Sequence, residues 1–295
     1  MWEYCCRMSP AESTESATRQ WRCATCGISV NTRHCPGCGE KVVESKDLTF
    51  LGLMTQVFQN ITSVDSRLLR SLRVLMTRPG AITAAYVDGP RKPYIGPFQL
   101  FLIVNVIFFA VQSFSGSAVF STSLHSHLFD QDWSPFARTL VEHKLQAEHL
   151  TLAAYAPVFD HAVDVYAKSL VILLVLPFTL LFIPIFAGSH RPFVTHLVFA
   201  LHLLSFLLLC SCVLLLFTAL LTALGGAGLR APLVDWGLFA VLIAVIATYL
   251  YVATRVVYEP KGWVRVLEVA VLAVVIAAAV PGYRFLIFLV TLYFT

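Results

Sequence analysis

The sequence predicts an all-α polytopic membrane protein with about five transmembrane helices, a small amino-terminal zinc ribbon and a cytoplasmic amphipathic helix. The first observation is composition: of 295 residues, 58% are hydrophobic and 13% charged, with a mean hydropathy of +0.75. Soluble domains are about half apolar and about a quarter charged. The second is that apolar residues cluster in stretches of about 20, enough to cross a hydrocarbon core of roughly 30 Å. The third is a pair of CxxC motifs near the amino end.

The chain opens with a polar segment, residues 1–20, which carries three glutamates and no apolar run. A secretory signal needs such a run. We therefore expect this segment to be disordered and to remain in the cytoplasm.

The paired motifs predict a zinc ribbon over residues 21–41. Their cysteines are Cys23, Cys26, Cys35 and Cys38, and a glycine follows each pair. Four thiolates complete the tetrahedron of a structural zinc site and leave no position open for substrate. In a reducing compartment this spacing favours zinc over disulfides, with an iron–sulfur cluster or a redox dithiol as alternatives. Metal binding would supply the folding free energy of so small a unit, whose function would lie on its surface.

Residues 42–96 are predicted to form cytoplasmic juxtamembrane helices and a proline-rich elbow. The stretch "DSRLLRSLRVLM" places leucines on one helix face and Arg67, Arg70 and Arg73 on another. This pattern is typical of an interfacial helix whose arginines contact anionic lipid or a partner. The same pattern fits a helix packed on the protein's own spans with solvated arginines.

The elbow, residues 89–96, reads "GPRKPYIG" and leads into the first span. Its prolines remove the backbone amides that a phosphate-binding loop would need. We interpret the elbow as a membrane anchor in which Arg91 and Lys92 lie at the level of the lipid headgroups.

The transmembrane domain is predicted over residues 97–295. Its spans are expected at about 98–115, 170–187, 193–224, 236–257 and 264–290, with an outer loop at 116–169. Pro281 and Gly282 predict a kink or a break in the last span.

Orientation follows from the basic residues, which are enriched in short cytoplasmic loops. They cluster before the first span, and Arg255 and Arg265 flank the connection between the fourth and fifth. This distribution predicts a cytoplasmic amino terminus and a periplasmic or extracellular carboxyl terminus.

The chain resembles a bacterial membrane family catalogued as domain of unknown function 3667. The resemblance lies in the CxxCG pair, in "SLRVLMTRPGAITAAYVDGPRKPYIGPFQLFLIVNVIFF", in "HLVFALHLLSF" and in "YVATRVVYE". It implies a multi-pass inner-membrane protein and carries no biochemical role.

Three polar residues within the spans, Asn105, His196 and His202, form a possible intramembrane site, because ionisable groups at this depth are costly. The two histidines lie about 120° apart around one helix, so they cannot share a ligand without a second helix. The alternative is that each imidazole bonds a neighbouring helix and holds the bundle together. The five histidines of the outer loop are interpreted as solvated.

No hydrolase, zinc-protease, phosphate-loop or dinucleotide motif occurs, which weighs against an enzyme. The leading hypothesis is a non-enzymatic scaffold or sensor in which the zinc ribbon and the basic helix contact a cytoplasmic protein or anionic lipid. The alternatives are a transporter of a small or amphiphilic molecule and, third, a membrane-embedded enzyme acting on lipid. Membrane lipid and a cytoplasmic protein are the expected partners, and nucleic acid is not.

Overall fold

The computed structural model describes residues 20–40, 66–115, 119–225, 232–259 and 262–295. Residues 1–19 of the segment predicted to be disordered lie outside the described residues. So do residues 41–65, which include the first part of the juxtamembrane segment. The described chain is predominantly helical, and its two short strands are β1 (Trp21–Arg22) and β2 (Ser29–Val30). They pair antiparallel, with Trp21 opposite Val30.

Ten α-helices follow in the described parts of the chain. They are α1 (Ser66–Thr77), α2 (Ala81–Asp88), α3 (Pro97–Ser115), α4 (Leu124–Phe129), α5 (Ser134–Glu148), α6 (Leu152–Leu170), α7 (Val175–Ile185), α8 (Phe193–Ala223), α9 (Pro232–Tyr258) and α10 (Val264–Phe294).

Five helical segments are long and apolar enough to cross a membrane, which confirms the predicted fold class. They are α3, the continuous segment Leu152–Ile185 that joins α6 to α7, α8, the Gly237–Tyr258 part of α9, and α10.

The helical segment that contains the second candidate span begins at Leu152, and the stretch expected as an outer loop contains α4, α5 and most of α6. In α6 the buried residues are Tyr155, Phe159, Val163 and Ala167, four apart along the helix. This apolar stripe packs against α10, so α6 belongs to the helical bundle although polar residues lie between the apolar ones. A short 3₁₀ turn, Val171–Leu174, connects α6 to α7.

The last span is one helix. α10 runs without interruption from Val264 to Phe294 with Pro281 inside it. Proline removes only its own backbone donor, and neighbouring helices can hold the segment together. The break considered from the sequence is therefore absent from this described stretch.

Helix α8 lies at the centre of the membrane domain. Every residue from Val194 to Phe206 is buried, so this half of α8 is surrounded by protein on all sides. It packs most extensively on α3 and α7, and α2 also packs against it. Other close pairs include α9 with α10 and α10 with α6.

Candidate metal site and its contact with the membrane domain

The ribbon, residues 21–40, is built from two similar turns. In each turn the glycine after the second cysteine donates its N–H to the carbonyl of the first: Gly27 to Cys23 at 2.8 Å and Gly39 to Cys35 at 2.6 Å. Both glycines have positive φ, +75° and +67°, which a residue with a Cβ rarely adopts. The CxxCG spacing therefore closes each turn and points both thiols of a pair to the same side.

The four cysteines of the ribbon form one cluster. Their Sγ atoms all lie within 4.8 Å of one another, and no other group of three or more potential ligands occurs among the described residues. Cys23 and Cys35 are buried, whereas Cys26 is exposed. The backbone N–H of Cys38 donates to the Cys35 thiol and lowers its pKa to about 6, whereas burial and the neighbouring thiols raise the pKa of Cys38. This donor set could hold a metal ion.

The ribbon lies against the elbow. The Lys92 ammonium donates to the carbonyl of Cys38, and the Lys92 backbone N–H donates to the Glu40 carboxylate at 3.4 Å. The Thr25 hydroxyl donates to the same carboxylate at 2.7 Å, and Glu40 is only 4% exposed. The Cβ of Ala24 faces Gly89 so closely that an added Cβ there would be 2.8 Å away.

This contact was not predicted. Glu40 and Lys92 are 52 residues apart in the chain, and no local pattern in the sequence links them. Lys92, which we expected at the level of the headgroups, bonds the ribbon.

The elbow in turn bonds α1. The backbone N–H of Ile95 donates to the Ser71 hydroxyl at 3.1 Å, and that hydroxyl donates to the carbonyl of Arg67 at 2.8 Å. Arg91 donates its Nε–H to the carbonyl of Tyr86 and lies over that ring at 4.5 Å. Ribbon, elbow and basic helix therefore form one continuous series of contacts.

Helix α1 combines features of both arrangements considered from the sequence. Ser71 and Leu75 are buried, so one edge packs on the protein. Arg70 and Arg73 are exposed, and Leu69 keeps 73% of its surface accessible. The helix thus leaves a face that is both basic and apolar next to the membrane domain.

The structure gives the two histidines of α8 separate partners. His202 Nδ1 lies 2.8 Å from the Thr83 hydroxyl of α2, and His196 Nδ1 lies 3.1 Å from the Tyr258 hydroxyl of α9. Both histidines are buried, whereas Asn105 is half-buried on α3. Each of these hydrogen bonds ties α8 to another helix.

One outer-loop histidine is not solvated, contrary to our expectation. His127 of α4 is fully buried, and the Trp133 indole donates to its Nδ1 at 3.2 Å. Its ring lies 4.7 Å from that of Phe288. Burial and the nearby Arg284 charge lower the pKa of His127 to about 4, so the ring is neutral at physiological pH. The other four histidines of the loop are exposed.

The structure is therefore that of a membrane protein with five candidate spans. Its four-cysteine cluster lies against the elbow, which directly precedes the first span. Residues 65–109, which cover α1, α2, the elbow and most of α3, match a family described as protein of unknown function (DUF3667). A comparison with curated proteins found no match, and neither did a comparison with solved structures. The resemblance seen in the sequence thus holds for this part of the chain.

Proposed function

We propose that this protein is a non-enzymatic scaffold or sensor of the bacterial inner membrane, with its amino terminus in the cytoplasm. In this role α1 binds anionic lipid and the ribbon, closed by zinc, contacts a cytoplasmic protein. The observation that carries the proposal is the continuous series of contacts from the ribbon through Lys92 to Ser71 of α1. These contacts place the metal site of the ribbon and the lipid-binding face of α1 on one continuous surface of the protein.

Zinc is the metal that this donor set suits best. Four cysteine thiolates within 4.8 Å of one another match the closed sites of structural zinc. Cys23, Cys26, Cys35 and Cys38 would hold the ion and stabilise a unit with only two short strands. A closed site binds no substrate, so its contribution is structural.

The accessible face of α1 supports lipid binding. Leu69 and Met76 are exposed on the same helix as Arg70 and Arg73. Apolar side chains beside arginines are typical of helices that lie in the headgroup region. Each arginine near an anionic surface contributes about 1 kcal/mol, or about fivefold in affinity.

The surface of the ribbon supports a protein partner. Ile28 follows the first cysteine turn, directly before β2, and is 47% exposed, although the ribbon has few apolar residues with which to build a core. An accessible isoleucine on a metal-closed turn is a rigid apolar contact for another protein.

Binding of anionic lipid by α1 is tested in nanodiscs that contain equal amounts of phosphatidylcholine and phosphatidylglycerol. Arg67, Arg70 and Arg73 are changed together to Gln, and together to Lys as the control that keeps the charge. Native mass spectrometry then measures which lipids remain bound. We expect the wild type and the Lys variant to retain phosphatidylglycerol and the Gln variant to lose it, by about fivefold for each lipid-bound arginine. Equal retention in all three would overturn lipid binding by α1.

Binding of a protein partner to the ribbon is tested with a photo-crosslinking amino acid in place of Ile28 in the full chain in native membranes. We expect a crosslinked product that disappears when Cys26→Ser opens the metal site. No product, or the same product from both chains, would overturn the role of the closed ribbon.

A further inference from the structure

A cavity of about 570 Å³ lies inside the membrane domain. All five spans line it, through residues such as Phe101, Phe178, Leu208, Ile246 and Ile276. The cavity lies between two groups of helices. α3, α7 and α8 are on one side, and α9 and α10 are on the other. The volume lies within the range of about 300–1,000 Å³ that small-molecule sites occupy.

This cavity differs from a groove on the lipid-facing surface. An adjacent groove of about 440 Å³ is lined only by the second span and α10, and every residue in it is apolar or glycine except Tyr283. The larger cavity draws on all five spans and has a charged residue in its wall. It therefore lies between the five spans and is partly open, since Phe239 in its wall is 49% exposed.

Along α8 the lining of the cavity extends from Leu204 to Leu215. Eleven residues of helix correspond to about 16 Å. This length is about half of the roughly 30 Å hydrocarbon core, which is the depth that one acyl chain occupies.

Arg284 is the charged residue in the wall. It lies 20 residues after the start of α10, about 30 Å along the helix and so near the membrane face opposite the ribbon. Its Nε–H donates to the carbonyl of Val119 at 2.8 Å. No described carboxylate forms an ion pair with it. A cation at the end of an apolar cavity favours an anionic ligand, and the terminal amino groups of a guanidinium suit a carboxylate.

We propose that this cavity binds a single-chain anionic amphiphile of the fatty-acid class. The carboxylate lies against Arg284, and the acyl chain extends between α8 and α10 towards Phe101. The apolar walls exclude a polar metabolite, and the single cation selects an acid over a neutral lipid of the same length. This site is separate from the surface formed by the ribbon and α1. Its lining includes Pro281 but none of the polar residues Asn105, His196 and His202.

The test uses the full chain in nanodiscs of neutral phosphatidylcholine. The probe is palmitic acid with a photoreactive diazirine in its chain, and the matching alcohol is the uncharged probe. Labelled peptides are mapped by mass spectrometry, and affinity is measured by competition with unlabelled palmitate. Two adjacent alanines of α10 provide a matched pair. Ala277 lines the cavity and Ala278 lines the surface groove, so Ala277→Phe fills the site and Ala278→Phe does not.

We expect Ala277→Phe to abolish labelling of cavity peptides while Ala278→Phe retains it. Arg284→Gln weakens palmitate binding about tenfold, and Arg284→Lys weakens it less. Arg255→Gln, at the exposed end of α9, leaves palmitate binding unchanged. The alcohol is bound more weakly and does not respond to Arg284→Gln. Equal labelling of the two phenylalanine variants, or equal palmitate affinity of the two glutamine variants, would overturn the proposal.

Discussion

The hydrogen bond between Thr83 and His202 gives a quantitative prediction about how the juxtamembrane helices attach to the membrane domain. Thr83 on α2 and His202 on α8 are both 1% exposed, and their side chains meet at 2.8 Å. No described residue bonds the other ring nitrogen of His202. The Thr83 hydroxyl is therefore the one hydrogen-bond partner of this imidazole within the described chain.

We expect Thr83→Val to destabilise the protein by about 1–3 kcal/mol, because the valine leaves a buried ring nitrogen without a partner. The double variant Thr83→Val with His202→Phe removes both polar groups and should recover most of that loss. Thr248→Val is the control, since Thr248 is exposed and bonds only its own helix. Its effect should stay within about 0.5 kcal/mol.

The assay is thermal unfolding of the purified chain in one detergent, followed by circular dichroism. The variants are compared at the same protein and detergent concentrations. If Thr83→Val melts together with Thr248→Val, the hydrogen bond contributes nothing and α2 is held to α8 by apolar packing alone.

Three further predictions concern other parts of the fold. His127 has a lowered pKa of about 4, so the unfolded chain binds one more proton between about pH 4 and 6.5. Stability should therefore fall by on the order of 2–3 kcal/mol as the pH drops through this window, and a chemical denaturation series should show less of that fall in His127→Phe. Gly80 has a φ of +81°, and a Cβ there would lie 2.8 Å from the Ala253 carbonyl oxygen. Gly80→Ala should therefore lower the free energy of unfolding by about 1–3 kcal/mol in the thermal assay. An unchanged melting point would contradict that close approach. Glu40→Gln keeps the shape of the side chain but removes the charge that accepts from Thr25 and Lys92. Limited proteolysis should then cut the ribbon faster, and an unchanged rate would show that Glu40 does not hold it.

The features that the sequence predicted correctly depend on local spacing. The CxxCG turns place four thiols together because each turn is closed within five residues. The five spans follow from apolar length alone. Both signals are contained in short windows of the chain and need no knowledge of what packs against them.

The features that the sequence did not reveal depend on contacts between distant segments. The ribbon lies on the elbow through Glu40 and Lys92, whose contact no periodicity encodes. His127 is buried because α4 folds back onto Phe159 and Phe288, although the surrounding loop is polar. Arg284 lies in the wall of a cavity whose other lining residues are spread over five helical segments, so no local pattern marks its position.

Hydrogen exchange of the elbow, with and without a zinc chelator, tests most directly whether a metal-closed ribbon is held against the membrane domain. The amides of Lys92, Tyr94 and Ile95 should be protected in the zinc-loaded chain, because they donate to Glu40, to the carbonyl of Arg91 and to Ser71. We expect removal of zinc to unfold the ribbon, so the Lys92 amide should exchange faster while the amides of α8 stay protected. Identical exchange at Lys92 in both states would contradict the coupling between the metal site and the elbow.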